Sequence, residues 1–138
     1  MTNPSRVALD ASALLALVFD EIGADVVEDA IARVAYISQI NWIEVLSTLA
    51  ERGRDPDDVV SALTSAGVLG DNLIIQPLDD AQMRTIARLR PLTRSIGLSL
   101  GDRACLALAQ ALDVPALTSD RAWLDVAQVE HIEILTLR

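Results

Sequence analysis

The sequence predicts an α/β fold built on a five-stranded parallel sheet, and three observations carry that expectation. Five short apolar runs, Val7–Leu9, Ala35–Ser38, Leu73–Ile75, Pro115–Thr118 and Ile132–Leu137, read as strands. Segments of helical periodicity with recognisable caps separate them, and strands alternating with helices imply parallel pairing. Acidic residues recur where an apolar run gives way to a helix start, or one turn into a helix, at Asp10, Glu44, Asp102 and Asp120. A parallel sheet gathers such points of the chain into one crevice at the carboxyl ends of its strands. With 138 residues, the chain holds one well-formed core and is too short for two ordinary domains, so residues 1–138 are expected to form a single domain.

Each element has its own signal. After Val7–Leu9, Asp10-Ala11-Ser12 leads into the apolar helix Ala13–Phe19. Gly23 precedes an amphipathic helix over Ala24–Arg33, with Val26, Val27, Ala30, Ile31 and Val34 on its apolar side. Ala35–Ser38 is the second strand, after which Ser38 or Asn41 caps a helix through Trp42, Leu46 and Leu49 to Gly53. Asp55-Pro56-Asp57-Asp58 opens the next helix, which runs to about Ala66: Asp55 is its cap, Pro56 its first residue, and the two acids face the positive end of the dipole. Leu73–Ile75 is followed by a helix that begins at Asp79, carries Met83, Ile86, Ala87 and Leu89, and is stopped or bent by Pro91. Ser99-Leu100-Gly101-Asp102 introduces the apolar helix Ala104–Ala109, and the last two strands close the chain. Neither an internal repeat nor a low-complexity segment interrupts this order.

Composition excludes several classes. A hydrophobic fraction of 51% with 22% charged residues describes a globular chain rather than a disordered one. No apolar stretch approaches the roughly 20 residues of a membrane helix. The opening Met1–Arg6 lacks a basic segment followed by an apolar one, so no secretory signal is expected and cytoplasmic residence follows. The lone Cys105 cannot form an internal disulfide, and no Cys/His cluster offers zinc a site. All 11 basic residues are arginine, which removes lysine-dependent phosphate loops, Schiff bases and receiver-type phosphorylation switches. The net charge of −9 argues against nucleic acid unless part of it serves a metal.

Taken singly, the acids have ordinary structural explanations. Asp10 can cap a helix, Asp102 can complete a Ser99-x-x-Asp102 capping box, and Asp120 can follow a Ser119 cap. Glu44 differs, since it lies among apolar neighbours with no basic partner before Arg52, and a buried unpaired carboxylate is costly. Four independent caps do not predict that all fall on one edge of one sheet. Four carboxylates gathered there repel one another and call for a cation, most simply Mg²⁺ or Mn²⁺.

At this level of detail the sequence resembles a PIN domain and, within that group, the VapC-like toxin ribonucleases of type II toxin–antitoxin pairs. The resemblance rests on Val7-Ala8-Leu9-Asp10-Ala11-Ser12-Ala13-Leu14, Asn41-Trp42-Ile43-Glu44-Val45, Leu98-Ser99-Leu100-Gly101-Asp102-Arg103-Ala104 and Ala116-Leu117-Thr118-Ser119-Asp120-Arg121-Ala122-Trp123, in that order along nearly the whole chain. It implies a three-layer α/β/α domain, Mg²⁺ or Mn²⁺ at the acids, and internal cleavage of RNA by a metal-activated water that leaves a 5′-phosphate and a 3′-hydroxyl. Asp10, Glu44, Asp102 and Asp120 align with the family's acidic set. Asp10 and Asp102 are expected to be direct ligands, Asp120 a direct or water-mediated one, and Glu44 to orient or deprotonate the water. Ser12 and Thr118 match hydroxyl positions that support these acids, and Trp123 stands where the family usually carries an aromatic, often phenylalanine. The resemblance also implies a homodimer and a cognate antitoxin whose C-terminal segment blocks the acidic groove, often with an arginine near the carboxylates.

Other residues are assigned lesser parts. Arg103 and Arg121 directly follow two of the proposed ligands and are the candidates for RNA phosphate, whereas Arg84, Arg88, Arg90 and Arg94 read as a solvated helix face. Asp125 reads as a solvated residue, His131 as a surface or edge histidine, Cys105 as a buried thiol and Trp42 as core or interface. The apolar helices after Asp10 and after Glu44 could form a groove for an amphipathic partner helix. Two other functions use similar acids: a metal-dependent phosphatase of small esters, disfavoured by the missing lysine, and a non-catalytic interaction module in which the acids are only caps.

Overall fold

The computed structural model describes residues 6–126 and 131–138. The opening segment read for a signal lies almost wholly within residues 1–5, outside that range. The five strands appear where expected: β1 (Val7–Leu9), β2 (Ala35–Ser38), β3 (Leu73–Gln76), β4 (Ala116–Thr118) and β5 (Ile134–Thr136). They form one sheet in the order β3-β2-β1-β4-β5, with every neighbouring pair parallel. Six helices are described, α1 (Ala11–Val18), α2 (Ala24–Ala32), α3 (Gln39–Glu51), α4 (Pro56–Ser65), α5 (Asp80–Leu92) and α6 (Leu100–Leu112), together with a 3-10 helix at Arg121–Asp125.

Both faces of the sheet are covered, as a parallel sheet requires. Val7, Leu9, Ala35, Ile37 and Leu117 pack with apolar side chains of α1 to α4. Their alternating neighbours Ala8 and Ala116, with Ile134, pack on the other side with α5, α6 and Trp123. The period of two along each strand thus supplies two cores, one on each face of a three-layer α/β/α arrangement. The run Ala104–Ala109 of α6 is at most 1% exposed. Its small residues let that helix lie close over β1, where the Cys105 thiol points at the Ala8 carbonyl 3.8 Å away.

The caps decide the helix starts. Asp55 accepts the Asp57 amide at 2.8 Å ahead of Pro56, and Asp79 accepts the Gln82 amide at 2.7 Å. Of the two candidates before α3, Ser38 is the cap and Asn41 lies inside the first turn, where its own amide N–H donates to the Ser38 hydroxyl at 3.2 Å. Pro91 falls within the last turn of α5, which continues to Leu92 before Thr93 closes it by donating its hydroxyl to the Leu89 carbonyl. β5 is shorter than the Ile132–Leu137 run, because only Ile134–Thr136 pair with β4. Among the described residues, no helix is long and apolar enough to cross a membrane.

The strand order contains a reversal. From β1 the chain moves outward through β2 to β3, then returns past β1 to lay down β4 and β5 on the other side. Beyond the carboxyl ends of β1 and β4, connections depart in opposite directions and leave a crevice. Asp10 directly follows β1, Ser38 ends β2, and Thr118 ends β4.

Candidate functional site

Asp10 anchors this crevice. It is 4% exposed, and three groups donate to its carboxylate: the Ser12 hydroxyl at 2.7 Å and the Ala13 amide at 2.8 Å to one oxygen, the Thr118 hydroxyl at 2.5 Å to the other. Burial nevertheless dominates, and with the nearby charge of Asp102 it raises the Asp10 pKa to about 6 against the lowering by those hydrogen bonds. No basic side chain contributes to that balance. The Asp10 cap of α1 expected from sequence is therefore real, and it is also a strained electrostatic position.

Thr118 and Ser12 connect Asp10 to the end of β4. The Thr118 hydroxyl accepts the Asp120 amide at 3.1 Å while donating to Asp10, and the Ser12 hydroxyl accepts the Ser119 amide at 3.1 Å. The β4 end is thus tied to the start of α1 by two hydroxyls that each donate to Asp10. Asp120 itself is exposed and caps the 3-10 helix by accepting the Ala122 amide at 2.9 Å. It occupies the cap position rather than the one after a Ser119 cap.

Glu44 and Asp102 form the other half. The Ser99–Asp102 capping box is complete: the Ser99 hydroxyl accepts the Asp102 amide at 3.1 Å, and an Asp102 oxygen accepts the Ser99 amide at 2.9 Å. Glu44 is an exposed residue of α3, which corrects the expectation of a buried glutamate: Trp42 and Val45 turn to the core, whereas Ile43 and Glu44 lie on the exposed side of the helix. Its carboxylate end is tucked against Gly101, with the Asn41 side-chain amide donating to it at 3.1 Å. Partial desolvation and the charge of Asp102 raise the Glu44 pKa, and the Asn41 hydrogen bond opposes the rise. Asp102 therefore presses electrostatically on both Asp10 and Glu44. The Cys105 thiol, buried beneath them, feels all three charges, and with its burial they push its pKa upward.

This environment suits a hard divalent cation: the donors are oxygens alone, and the negative charge on Asp10 and Glu44 is offset by hydrogen bonds but by no cationic side chain. As the side chains lie, no three carboxylates among the described residues surround a single point. Asp102 is turned into its capping box and Asp120 onto the Ala122 amide, so each meets a backbone N–H instead.

Two residues that position the acids were not singled out by sequence reasoning. Asn41 lies three residues before Glu44, hence on the same helix face, a spacing that signals contact between short polar side chains. Gly101 is a glycine inside an otherwise well-formed helix, which itself asks for a packing reason. A Cβ on Gly101 would collide with the Glu44 carboxylate. The two candidate phosphate binders are engaged by backbone: one Arg103 guanidinium nitrogen donates to the Ile86 carbonyl at 2.9 Å, and one of Arg121 to the Arg138 carbonyl at 2.7 Å. Arg84, Arg88, Arg90 and Arg94 are exposed, as is His131.

On the far side of α1 and α3, these helices and α4 frame an apolar cleft of about 310 Å³ lined by Leu14, Leu17, Val18, Val45, Leu49 and Leu63, with Glu28 and Arg54 also on its wall.

The family model described as PIN domain matches residues 7–129. No curated protein sequence matches the chain. Among solved structures the chain is similar to a toxin–antitoxin complex from Klebsiella pneumoniae, at 20% identity over 96% of this chain and 98% of that one, with a TM-score of 0.67. It is similar to the DNA-bound VapBC from Salmonella typhimurium, at 15% identity over 96% and 98%, TM-score 0.68. VapBC-5 from Mycobacterium tuberculosis aligns at 20% identity over 96% and 99%, TM-score 0.56. At these identities the likeness is one of fold.

Proposed function

The chain belongs to the PIN domain family, and from that premise we propose that it is a metal-dependent endoribonuclease, the toxin of a toxin–antitoxin pair. The observation that carries this reading is the mutual pressure of carboxylates at the sheet's reversal, where Asp102 raises the proton affinity of both Asp10 and Glu44 and no basic side chain relieves either. Asp10, Glu44, Asp102 and Asp120 would hold Mg²⁺ or Mn²⁺, which when bound supplies an activated water and neutralises phosphate charge. Asp10 is presented to the crevice by three donors that fix both of its oxygens. Glu44 is the acid assigned to orient a water and take its proton: unlike Asp10, Asp102 and Asp120 it caps no helix among the described residues, and its hydrogen bond there comes from the Asn41 side chain. To reach a metal, Asp102 and Asp120 would each turn a carboxylate oxygen away from the backbone N–H that it now accepts, or offer the other oxygen.

The partners follow the same reading. The structural neighbours include toxin–antitoxin complexes, and we propose a cognate antitoxin for this chain, its amphipathic helix lying in the apolar cleft between α1, α3 and α4. The acidic crevice would attract an arginine of that partner. A homodimer would cover exposed apolar side chains such as Ile43, Met83 and Leu100, on α3, α5 and α6. Cytoplasmic residence is part of the same proposal.

The test is cleavage of single-stranded RNA by purified protein. Internal cuts that need Mg²⁺ or Mn²⁺ and stop with a chelator are expected, with small phosphate esters left intact. Ester hydrolysis without RNA cleavage would favour the phosphatase, and a chain that neither cleaves nor binds Mn²⁺ would be an interaction module whose acids serve as caps. RNA is held against a net charge of −9, so the few arginines near the site matter disproportionately. Arg103→Ala or Arg121→Ala is expected to weaken RNA binding and lower the slope of log affinity against log salt by about 1. An unchanged slope would leave that arginine to its carbonyl partner alone.

A further inference from the structure

Asn41 is 1% exposed, and its side chain is spent on connections rather than on filling space. Its two amide hydrogens go to the Glu44 carboxylate at 3.1 Å and to the Gly101 carbonyl at 2.9 Å, so one group bridges α3 to the first turn of α6. The Ser38 hydroxyl donates to its oxygen at 3.0 Å, which fixes which end of the amide faces Glu44. Gly101 immediately precedes Asp102, and its missing Cβ leaves the space that the Glu44 carboxylate occupies. We propose that Asn41 is a positioning residue that clamps Glu44 at a set distance from Asp102 by gripping both the Glu44 carboxylate and the backbone that carries Asp102.

The reasoning is one of geometry and repulsion. Glu44 has a flexible stem on an exposed helix position, and the like charge of Asp102 disfavours its ionised carboxylate there. Without a donor anchored to α6, nothing else in the described hydrogen-bond network holds its carboxylate in the crevice. Aspartate at position 41 would lack the donors, and serine or threonine carries only one hydrogen for two acceptors. The inference rests on the nuclease reading for its consequence, while the clamp itself is a property of the metal-free protein.

Asn41→Leu keeps the shape and removes both donors; Asn41→Ala is the second variant should leucine disturb folding. Mn²⁺ affinity in the absence of RNA and single-turnover RNA cleavage are measured for each, in the natural background and with Glu44→Gln. Removing a residue that orients a metal-binding group is expected to weaken Mn²⁺ binding and slow cleavage by about 10- to 100-fold. In the Glu44→Gln background the further loss should fall to about 2-fold or less, because glutamine already lacks the charged group whose placement Asn41 serves, even though its carbonyl oxygen can still accept the Asn41 amide. An equal loss in both backgrounds, or no loss in either, would overturn the proposal. Should the unaltered protein neither cleave RNA nor bind Mn²⁺, the nuclease reading fails first, and the clamp is judged by NMR alone. The Asn41 side-chain amide resonances should then move on Glu44→Gln, and their standing still would remove the clamp as well.

Discussion

Asp10→Asn is expected to slow RNA cleavage by on the order of 10³-fold, the upper end of what removing one preorganised electrostatic group costs, and at the same time to make the metal-free protein more stable. The two effects have one origin. Asp10 sits 4% exposed at the reversal of the sheet, and its pKa stands at about 6 instead of 3.8. Because the folded state binds this proton more tightly than the unfolded chain, the ionised form opposes folding. That penalty is complete above pH 6, declines as pH falls, and is gone below about pH 4. A shift of this size corresponds to on the order of 3 kcal/mol. Asparagine avoids it: its oxygen can still take the Ala13 amide, and the Ser12 and Thr118 hydroxyls can turn to serve either end of the amide. Thermal melts of both proteins from pH 4 to 8 check the sign, with the variant melting higher at pH 8 and equal at pH 4. Saturating Mn²⁺ should raise the melting temperature of the natural protein far more than that of the variant. A variant that cleaves normally, or that is less stable at pH 8, would remove Asp10 from the role given to it.

Gly101→Ala is the complementary case, an expected loss of activity with little change in the fold. The added methyl would overlap the Glu44 carboxylate, which is the far end of a flexible and largely exposed side chain. Glu44 therefore yields, and α6 keeps its packing; alanine is in addition the better helix former. The carboxylate leaves the crevice, and a displacement of about 1 Å at a reacting group costs about 10²-fold in rate. Cleavage should fall by that factor while circular dichroism and denaturant midpoint remain close to those of the natural protein. Undiminished cleavage would mean that Glu44 works from where the methyl pushes it, or does not take part.

Much of this was legible in the chain itself. β1, β2 and β4 follow the apolar runs closely because a parallel strand is buried on both faces and leaves an uninterrupted signal. Asp55-Pro56 and Asp79 announce helices through local chemistry that needs no distant partner. The choice of Ser38 over Asn41 as the cap of α3 was not legible, since both residue types cap well and only the Gly101 carbonyl, 60 residues away, gives Asn41 a different occupation. Glu44 was expected to be buried because its neighbours in sequence are apolar; a helix has two sides, and Glu44 lies on the open one.

The sequence by itself determined the alternation of strands and helices, the caps, and the residue types available to the site, because each depends on neighbours within about one turn of helix or one strand. Only the tertiary structure decided the rest. The return of the chain past β1 sets Thr118 beside Asp10 across 108 residues, and the closeness of α6 to α3 lets one asparagine hold Glu44 next to Asp102. Whether a carboxylate is a cap, a burden or a ligand depends on the charge and the water around it. Those are set by residues far off in the chain, and no local pattern encodes them.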